Sequence, residues 1–341
     1  WGIAKGWEKR YSVESEIPRN ELPRSRNPKE GWVVTCNQQV VDDDYPYFMS
    51  VAFAPEFRAK VLVNYITKNP KDLTVKNMLE MHNQKYSIPA EKIVSFIKRI
   101  DLDNIKLSDI EQSSLDLLEN WDFSMDKSSS AASIYSMTRE KLVEQIINLN
   151  YGGLAKETIE WKNYGAVSHV RRFLLPLINE HLGDNKSFLL SNKESWNELI
   201  IKSFKSAILI LIDKFGDNIN EWSWGNLHKT NHQHPLSSVY KKYSEILNPK
   251  HVSASGDGDT PFAGSSDKNF NVVAASVNRY AHDPSNWENS RWIVPLGSSG
   301  NPGSKNYYDQ LDLWAEGETI PQVWNWEEIT SSCSKQSIKK T

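Results

Sequence analysis

Three side-chain amides in a row follow an apolar stretch near the start of the chain. They are Asn37, Gln38 and Gln39 within GWVVTCNQQVVDDDYPYF, residues 31–48. A carboxamide held at the end of a strand can donate hydrogen bonds to a developing oxyanion, and it does so without titrating. An asparagine at the end of a strand more often caps a turn. The residue types alone leave both roles open for Asn37.

A second group of residues has the spacing of zinc ligands. It comprises His228, His232 and His234 in GNLHKTNHQHPL, which His251 and His282 could join. Imidazoles at such spacings can bind zinc. However, the chain has no His-Glu-x-x-His sequence, and Asn231 and Pro235 disfavour a helix that presents two ligands on one face. The preferred interpretation is a strand and turn whose imidazoles bond to backbone groups.

Two acidic clusters are candidates for binding calcium. They are Asp42–Asp44 and the GDGDT sequence of residues 256–260. Oxygen-rich turns suit this ion. The stretch 257–268 lacks the glutamate of a calcium-binding loop at its twelfth position, and Asp-Gly pairs are common turn formers. A solvated turn is therefore expected in both places.

Composition narrows the class of protein. The chain has 341 residues and a mass of 39.1 kDa, which suits about two domains. With 40 basic and 43 acidic residues its net charge is −3, and without a basic stripe it does not favour nucleic acid or an acidic lipid surface as a partner. Two cysteines, Cys36 and Cys333, allow at most one disulfide and indicate no compartment. The longest aliphatic run, AILILI at 207–212, is too short to cross a bilayer.

The elements that position these residues change in type along the chain. Residues 1–53 are predicted to form an extended lead-in and a sheet strand at 31–41. Residues 54–219 have the apolar period of helices, and residues 220–330 alternate between strands and turns, with a final helix. Residues 331–341 are predicted to form a tail. The order favours an α+β fold with a helical subdomain inserted between strands of a sheet.

Local signals place several helices. Pro55 suits a first turn, Thr74 suits an N-cap, and capping boxes are indicated by Ser108 with Glu111 and by Ser191 with Glu194. The last of these precedes a clear apolar stripe that ends at Gly216. The stripe comprises Trp196, Leu199, Ile200, Phe204, Ile208, Leu211, Ile212 and Phe215. The small polar stretch DKSSSAASIYS, residues 126–136, is expected to be a mobile loop.

The C-terminal third contains further predicted elements. Strands are expected in WSWGNLH, NFNVVAASVNRY and SRWIVPLG, and a helix is expected in NYYDQLDLWAEG.

Three segments together resemble the penicillin acylase family of N-terminal-nucleophile hydrolases. The first runs from ELPRSRNPKEGWVVTCNQQVVDDDYPYF to PEFRAKVL, the second is GNLHKTNHQHPL, and the third runs from SGDGDTPFAG through SVNRYAHD to LGSSGNPGSKNYYDQLDLW. They occur in the order that the family shows and span most of the chain. The resemblance implies the C-terminal portion of the family's β-chain, within an αββα four-layer fold.

The resemblance also implies roles for two residues. Asn37 matches the asparagine whose side-chain amide contributes to the oxyanion hole. Arg58 matches an arginine that supports the active site and its maturation. Some members bind calcium through an acid that follows the Tyr-Pro pair, but here that neighbourhood is Phe48-Met49-Ser50. A structural calcium ion is therefore not supported by these residues, and no cofactor is expected to be required.

The family's nucleophile is a serine that becomes the first residue of a chain and forms an acyl-enzyme. Here the sequence opens on Trp1, with neither an initiating Met nor a signal peptide, and no internal Gly-Ser has the context of the family's cleavage junction. The expectation is the C-terminal piece of a longer precursor, inactive alone. Its expected partners are the missing N-terminal α-chain, the N-terminal part of the β-chain and a small acylated amide.

The expected substrate is an N-acyl compound such as a penicillin or an N-acyl homoserine lactone, and family members are mostly periplasmic or extracellular. Two alternatives remain open at this point. One is a binding or scaffold homologue that has lost the nucleophile, and the weaker one is a zinc hydrolase built on the His228 cluster.

Overall fold

The computed structural model describes residues 5–12, 15–50, 53–68, 73–160, 164–190 and 194–332. Eight successive helices begin with α1 at residue 57 and end with α8 at residue 215. They are α1 Phe57–Lys68, α2 Val75–His82, α3 Ile88–Ile97, α4 Asp109–Glu119, α5 Ser130–Tyr151, α6 Ala155–Glu160, α7 Tyr164–His181 and α8 Trp196–Phe215. Across the described residues, no helix combines the length and the apolar character that crossing a bilayer requires.

Helix α8 packs against α5 at the centre of the main hydrophobic core. Its predicted stripe is confirmed: Trp196, Ile200, Phe204 and Ile208 are almost completely buried. The helix ends at Gly216, whose φ of 77° is readily adopted by glycine. The predicted cap is wrong by one turn, because Ser195 and Glu198 form the capping box. Ser191 itself lies outside the described residues.

Two other local helix signals are confirmed, since each depends on neighbouring residues only. The Thr74 hydroxyl accepts a hydrogen bond from the backbone of Asn77 at the start of α2. Ser108 and Glu111 form the predicted capping box of α4. The prediction for Pro55 is wrong: helix α1 begins at Phe57, so Pro55 lies before the helix and not in its first turn.

The stretch 126–136, predicted to be a mobile loop, is mostly helix. Ser129 caps α5, and the residues from Ala131 to Thr138 are all buried. The small side chains among them, such as Ala132 and Ser133, allow close packing in the interior, where van der Waals contacts fix them. The composition of this segment therefore reflects dense packing and not mobility.

The C-terminal third contains two small antiparallel sheets among the described residues. In the first, β1 Gly264–Ser266 pairs with β2 Val272–Ala275, with an irregularity between Ser265 and Ser266. In the second, the order is β3 Arg279–Ala281, β4 Arg291–Ile293 and β5 Ile320–Pro321. The strands expected in NFNVVAASVNRY and SRWIVPLG are thus confirmed. The mixed helix-and-sheet class is confirmed as well.

Short helices complete this region. They are α9 Trp224–Leu227, α10 Ser244–Leu247, α11 Leu311–Glu316 and α12 Trp326–Ser332. Helix α11 confirms the prediction for NYYDQLDLWAEG, although it starts later than the motif does. The strand predicted in WSWGNLH is wrong, because the segment turns into α9 while Trp222 and Trp224 enter the core. The indole of Trp222 donates to the Gly216 carbonyl and that of Trp224 donates to the Gly256 carbonyl.

The strand predicted at 31–41 does not form in the described chain. These residues are irregular, and Val33 and Val40 remain 61% and 54% exposed. A strand requires a neighbour that pairs with its backbone groups, and no strand neighbours this segment among the described residues. The segment is attached to the start of the helical region by a bond from the Ala54 amide to the Asn37 carbonyl, 2.8 Å long.

Candidate functional site

The structure brings together the two residues that the sequence marked as site residues. Arg58 lies in the first turn of α1, and its Nη2 donates to Asn37 Oδ1 at 2.9 Å. The same nitrogen donates to the Cys36 carbonyl at 2.5 Å. Arg58 is half-buried, so it anchors the neighbouring turn from the helix side.

The contact with Arg58 sets which end of the Asn37 carboxamide faces outward. A guanidinium has only donors and bonds to the carboxamide oxygen, not to its NH₂. Asn37 Nδ2 therefore points away from Arg58, and no acceptor for it is present among the described residues. Because Asn37 is exposed, the turn offers a neutral donor with two protons.

The backbone at Asn37 is in an uncommon conformation. Its φ is 66°, in the left-handed region that asparagine tolerates better than most residues do. The bond from Ala54 to the Asn37 carbonyl holds this peptide against the segment that leads into α1. Asparagine therefore suits this position for two reasons: its backbone tolerates the left-handed turn, and its side chain supplies the exposed amide.

The two glutamines that follow differ in their contacts. Gln38 Oε1 accepts from the Cys36 amide at 2.5 Å, and Gln38 Nε2 donates to the Val34 carbonyl at 3.2 Å. Gln39 Nε2 donates downstream, to the Val41 carbonyl at 2.9 Å and to Asp43 at 3.1 Å. Sequence reasoning did not separate these roles, because both residues are amides at the same predicted strand end.

Cys36 is a free cysteine beside the guanidinium. Burial raises the pKa of its thiol, while the charge of Arg58 acts in the opposite direction. The thiol is therefore protonated at neutral pH and is not prepared as a nucleophile.

The five histidines do not meet in one place. The imidazole of His228 is buried, stacks on Trp224 with ring centroids 4.5 Å apart, and bonds through Nδ1 to the Phe270 carbonyl at 3.0 Å. Burial lowers the pKa of His228 to about 4. His234 caps a short helix by accepting from the Leu236 amide. Among the described residues, no group of three potential ligands could hold a metal ion.

The two acidic clusters behave differently. Asp42–Asp44 form the exposed turn that was predicted. The GDGDT loop is not a solvated turn, because Asp259 forms an ion pair with Arg139 of α5 at 2.7 Å and both Asp257 and Asp259 are half-buried. Burial, together with the nearby charge of Asp259, raises the pKa of Asp257 to about 6. No local signal shows this burial, since Arg139 lies more than a hundred residues away.

Comparisons with known proteins show which sequences this chain resembles. Residues 1–331 match the family profile described as penicillin amidase. The penicillin acylase 2 proenzyme of Pseudomonas sp. (strain SE83) is 26% identical over 343 residues, covering 97% of this chain and 41% of that protein. The acyl-homoserine lactone acylase QuiP of Pseudomonas putida is 22% identical over 331 residues, covering 92% of this chain and 39% of that protein.

A solved structure, the thermostable penicillin G acylase from Alcaligenes faecalis, has a similar fold. The TM-score is 0.50 at 17% identity, and the match covers 92% of this chain and 57% of the other. The chain thus spans about two fifths of the length of the curated relatives that it matches.

Proposed function

This chain belongs to the penicillin amidase family, and we propose that it is the C-terminal portion of an amidohydrolase that cleaves a non-peptide amide. The substrate would be an N-acyl compound such as a penicillin or an N-acyl homoserine lactone. The names of the relatives support this class. The nucleophile would be an N-terminal serine in a part of the protein outside this sequence.

The observation that carries the proposal is the bond between Arg58 and the oxygen of the Asn37 carboxamide. In the proposed reaction the serine hydroxyl gives its proton to the α-amino group of the same serine, the serine oxygen bonds to the amide carbon, and the carbonyl oxygen becomes an oxyanion. Asn37 Nδ2 donates to that oxyanion. The carbon–nitrogen bond then breaks, and the amine leaves with a proton from the serine's α-amino group. Water next attacks the acyl ester and releases the acid.

A neutral donor suits this task because it retains its protons across the working pH range. Its preorganisation by Arg58 means that little reorientation is needed when charge develops. Loss of one such donor typically costs about 2.7–4 kcal/mol of transition-state stabilisation. Asn37 is therefore proposed as a catalytic residue, and Arg58 as the residue that positions it.

The proposed partners are the N-terminal α-chain and the N-terminal part of the β-chain. The accessible surface of this chain is 21688 Å², whereas a compact monomer of its mass exposes about 14,000 Å². In the same stretch of sequence as Asn37, residues 31–48, Val33 and Phe48 are 61% and 75% exposed. These features support further polypeptide packing near the site, within a four-layer αββα arrangement. A periplasmic or extracellular location is part of the same proposal.

The test uses the full-length protein and measures acid release from a penicillin and from an N-acyl homoserine lactone. Asn37→Ala is expected to lower kcat by about 10²–10³-fold with little change in KM. Asn197→Ala, on the exposed side of α8, is the matched control and should retain wild-type kinetics. An unchanged kcat in Asn37→Ala would remove Asn37 from the oxyanion hole. Absence of amide hydrolysis by the wild-type protein on either substrate would refute the proposed function.

A further inference from the structure

The side chain of Gln38 folds back over the backbone that precedes Asn37. Its carboxamide oxygen accepts from the Cys36 amide at 2.5 Å, and its NH₂ donates to the Val34 carbonyl at 3.2 Å. The two bonds lie on either side of Thr35. One side chain thus satisfies one donor and one acceptor of the extended segment.

This pattern matches one rung of a β-ladder. In a sheet, a neighbouring residue can accept from the N–H of one residue and donate to the C=O of the residue two positions earlier. The Gln38 carboxamide takes the place of that neighbouring residue. It therefore satisfies the Cys36 donor and the Val34 acceptor without a second strand, which fits the absence of strand pairing by this segment among the described residues.

The carboxamide of Gln38 also restricts the conformation of Asn37, the residue between Cys36 and Gln38. Asn37 follows Cys36, whose N–H bonds to Gln38 and whose C=O bonds to Arg58. The Asn37 carbonyl bonds to Ala54. A positive φ at a residue other than glycine persists only where the surroundings hold it. Without Gln38, the Cys36 amide and the Val34 carbonyl lose their hydrogen bonds to a side chain, and Arg58 alone holds the N-terminal side of this turn.

We propose that Gln38 is a positioning residue for Asn37: its carboxamide acts as a one-residue partner strand that holds the turn displaying the oxyanion donor. This inference rests on the proposed function for its catalytic consequence. Gln39 provides a matched comparison, because it is also an amide but bonds downstream to Val41 and Asp43.

The kinetic test compares Gln38→Leu with Gln39→Leu in the full-length protein. A small misplacement of a catalytic group can cost up to about 10²-fold in rate, so Gln38→Leu is expected to lower kcat by roughly tenfold to 10²-fold with KM nearly unchanged. Gln39→Leu should retain wild-type kinetics. In an Asn37→Ala background, Gln38→Leu should have little further effect, because the two residues act through one donor. The same loss in both backgrounds, or equal kinetics for the two glutamine variants, would overturn the inference.

A second measurement is independent of activity. Cys36 is half-buried beside the Gln38 carboxamide, so its reaction rate with a thiol reagent reports on the turn. In full-length protein with every other cysteine replaced by serine, Gln38→Leu should speed the reaction, and Gln39→Leu should not. If the wild-type protein hydrolyses neither substrate but Gln38→Leu still speeds the modification of Cys36, the proposed function is refuted and the local role of Gln38 is retained. If the wild-type protein is active and Gln38→Leu changes neither the modification rate of Cys36 nor kcat, the role of Gln38 is refuted and the proposed function is retained.

Discussion

Replacing the buried imidazole of His228 should change how stability depends on pH. His228 is fully buried, stacks on Trp224 and bonds through Nδ1 to the Phe270 carbonyl, while its Nε2 has no hydrogen-bond partner in the described part of the chain. Protonation would place an uncompensated charge in the core. His228→Gln removes the titration at this position and retains a polar side chain.

The magnitude follows from the shift in pKa. Burial lowers the pKa of His228 from 6.5 to about 4. Between these values the unfolded chain binds a proton that the folded chain does not, so stability decreases as pH falls from 6.5 to 4. At about 1.36 kcal/mol per pKa unit, the loss from this one group approaches roughly 3 kcal/mol. Burial lowers the pKa values of His82 and His232 as well, so they act in the same direction.

Asp257 acts with the opposite sign in the same pH range. Its pKa is raised from 3.8 to about 6 by burial, so its contribution to stability is present at low pH and is lost as pH rises to 6. The two slopes partly cancel in the wild-type protein. In Asp257→Asn, the decrease on acidification should therefore be steeper than in the wild type.

The assay is urea unfolding of the full-length protein at several pH values between 4 and 7. His228→Gln lowers stability at every pH through lost packing, but its stability should fall less on acidification than that of the wild type. Asn197→Ala, at an exposed position of α8, removes no titrating group, serves as the control and should leave the slope unchanged. Parallel wild-type and His228→Gln curves from pH 6.5 to 4 would contradict the burial argument.

Three further predictions concern other contacts. Arg58→Lys should lower kcat by about tenfold or more with little change in KM, because an ammonium lacks the guanidinium fork; a lysine enzyme with wild-type kcat would exclude the positioning role. Ser195→Ala should lower the free energy of unfolding by about 1 kcal/mol, whereas Ser191→Ala should change it by less than about 0.5 kcal/mol, and urea titration of both variants checks which serine caps α8. Gly256→Ala should destabilise by about 3 kcal/mol, because φ is 77° and a Cβ would lie 1.9 Å from the Phe262 carbonyl oxygen. Gly300→Ala, which meets nothing within 4 Å, is its control, and similar melting temperatures for these two variants would contradict the prediction.

The features that sequence reasoning predicted correctly depend on residues close together in the chain. The caps at Thr74 and Ser108, the stripe of α8 and its end at Gly216 follow from local hydrogen bonding and a period of 3.6 residues. The sequence contains Ser-x-x-Glu at both 191–194 and 195–198, and the prediction named the first, whereas the structure has the capping box at Ser195. The resemblance similarly identified the family from short motifs in a fixed order.

The failures arise where burial or a distant partner decides the conformation. Residues 126–136 look like a loop because many of them are small and polar, but residues 131–136 lie in the packed interior. WSWGNLH looks like a strand because it is aromatic, but its two tryptophans fill the core from a turn and a short helix. The GDGDT loop looks solvated, but Arg139 of α5 covers it.

The same division applies to the candidate site. The sequence determined that an asparagine stands among amides after an apolar stretch and that an arginine follows twenty-one residues later. Only the tertiary structure showed the guanidinium bonded to the carboxamide oxygen, and Gln38 in the place of a neighbouring strand. Residue type determines which groups can donate or accept, whereas the direction of a donor depends on contacts that the folded backbone brings together.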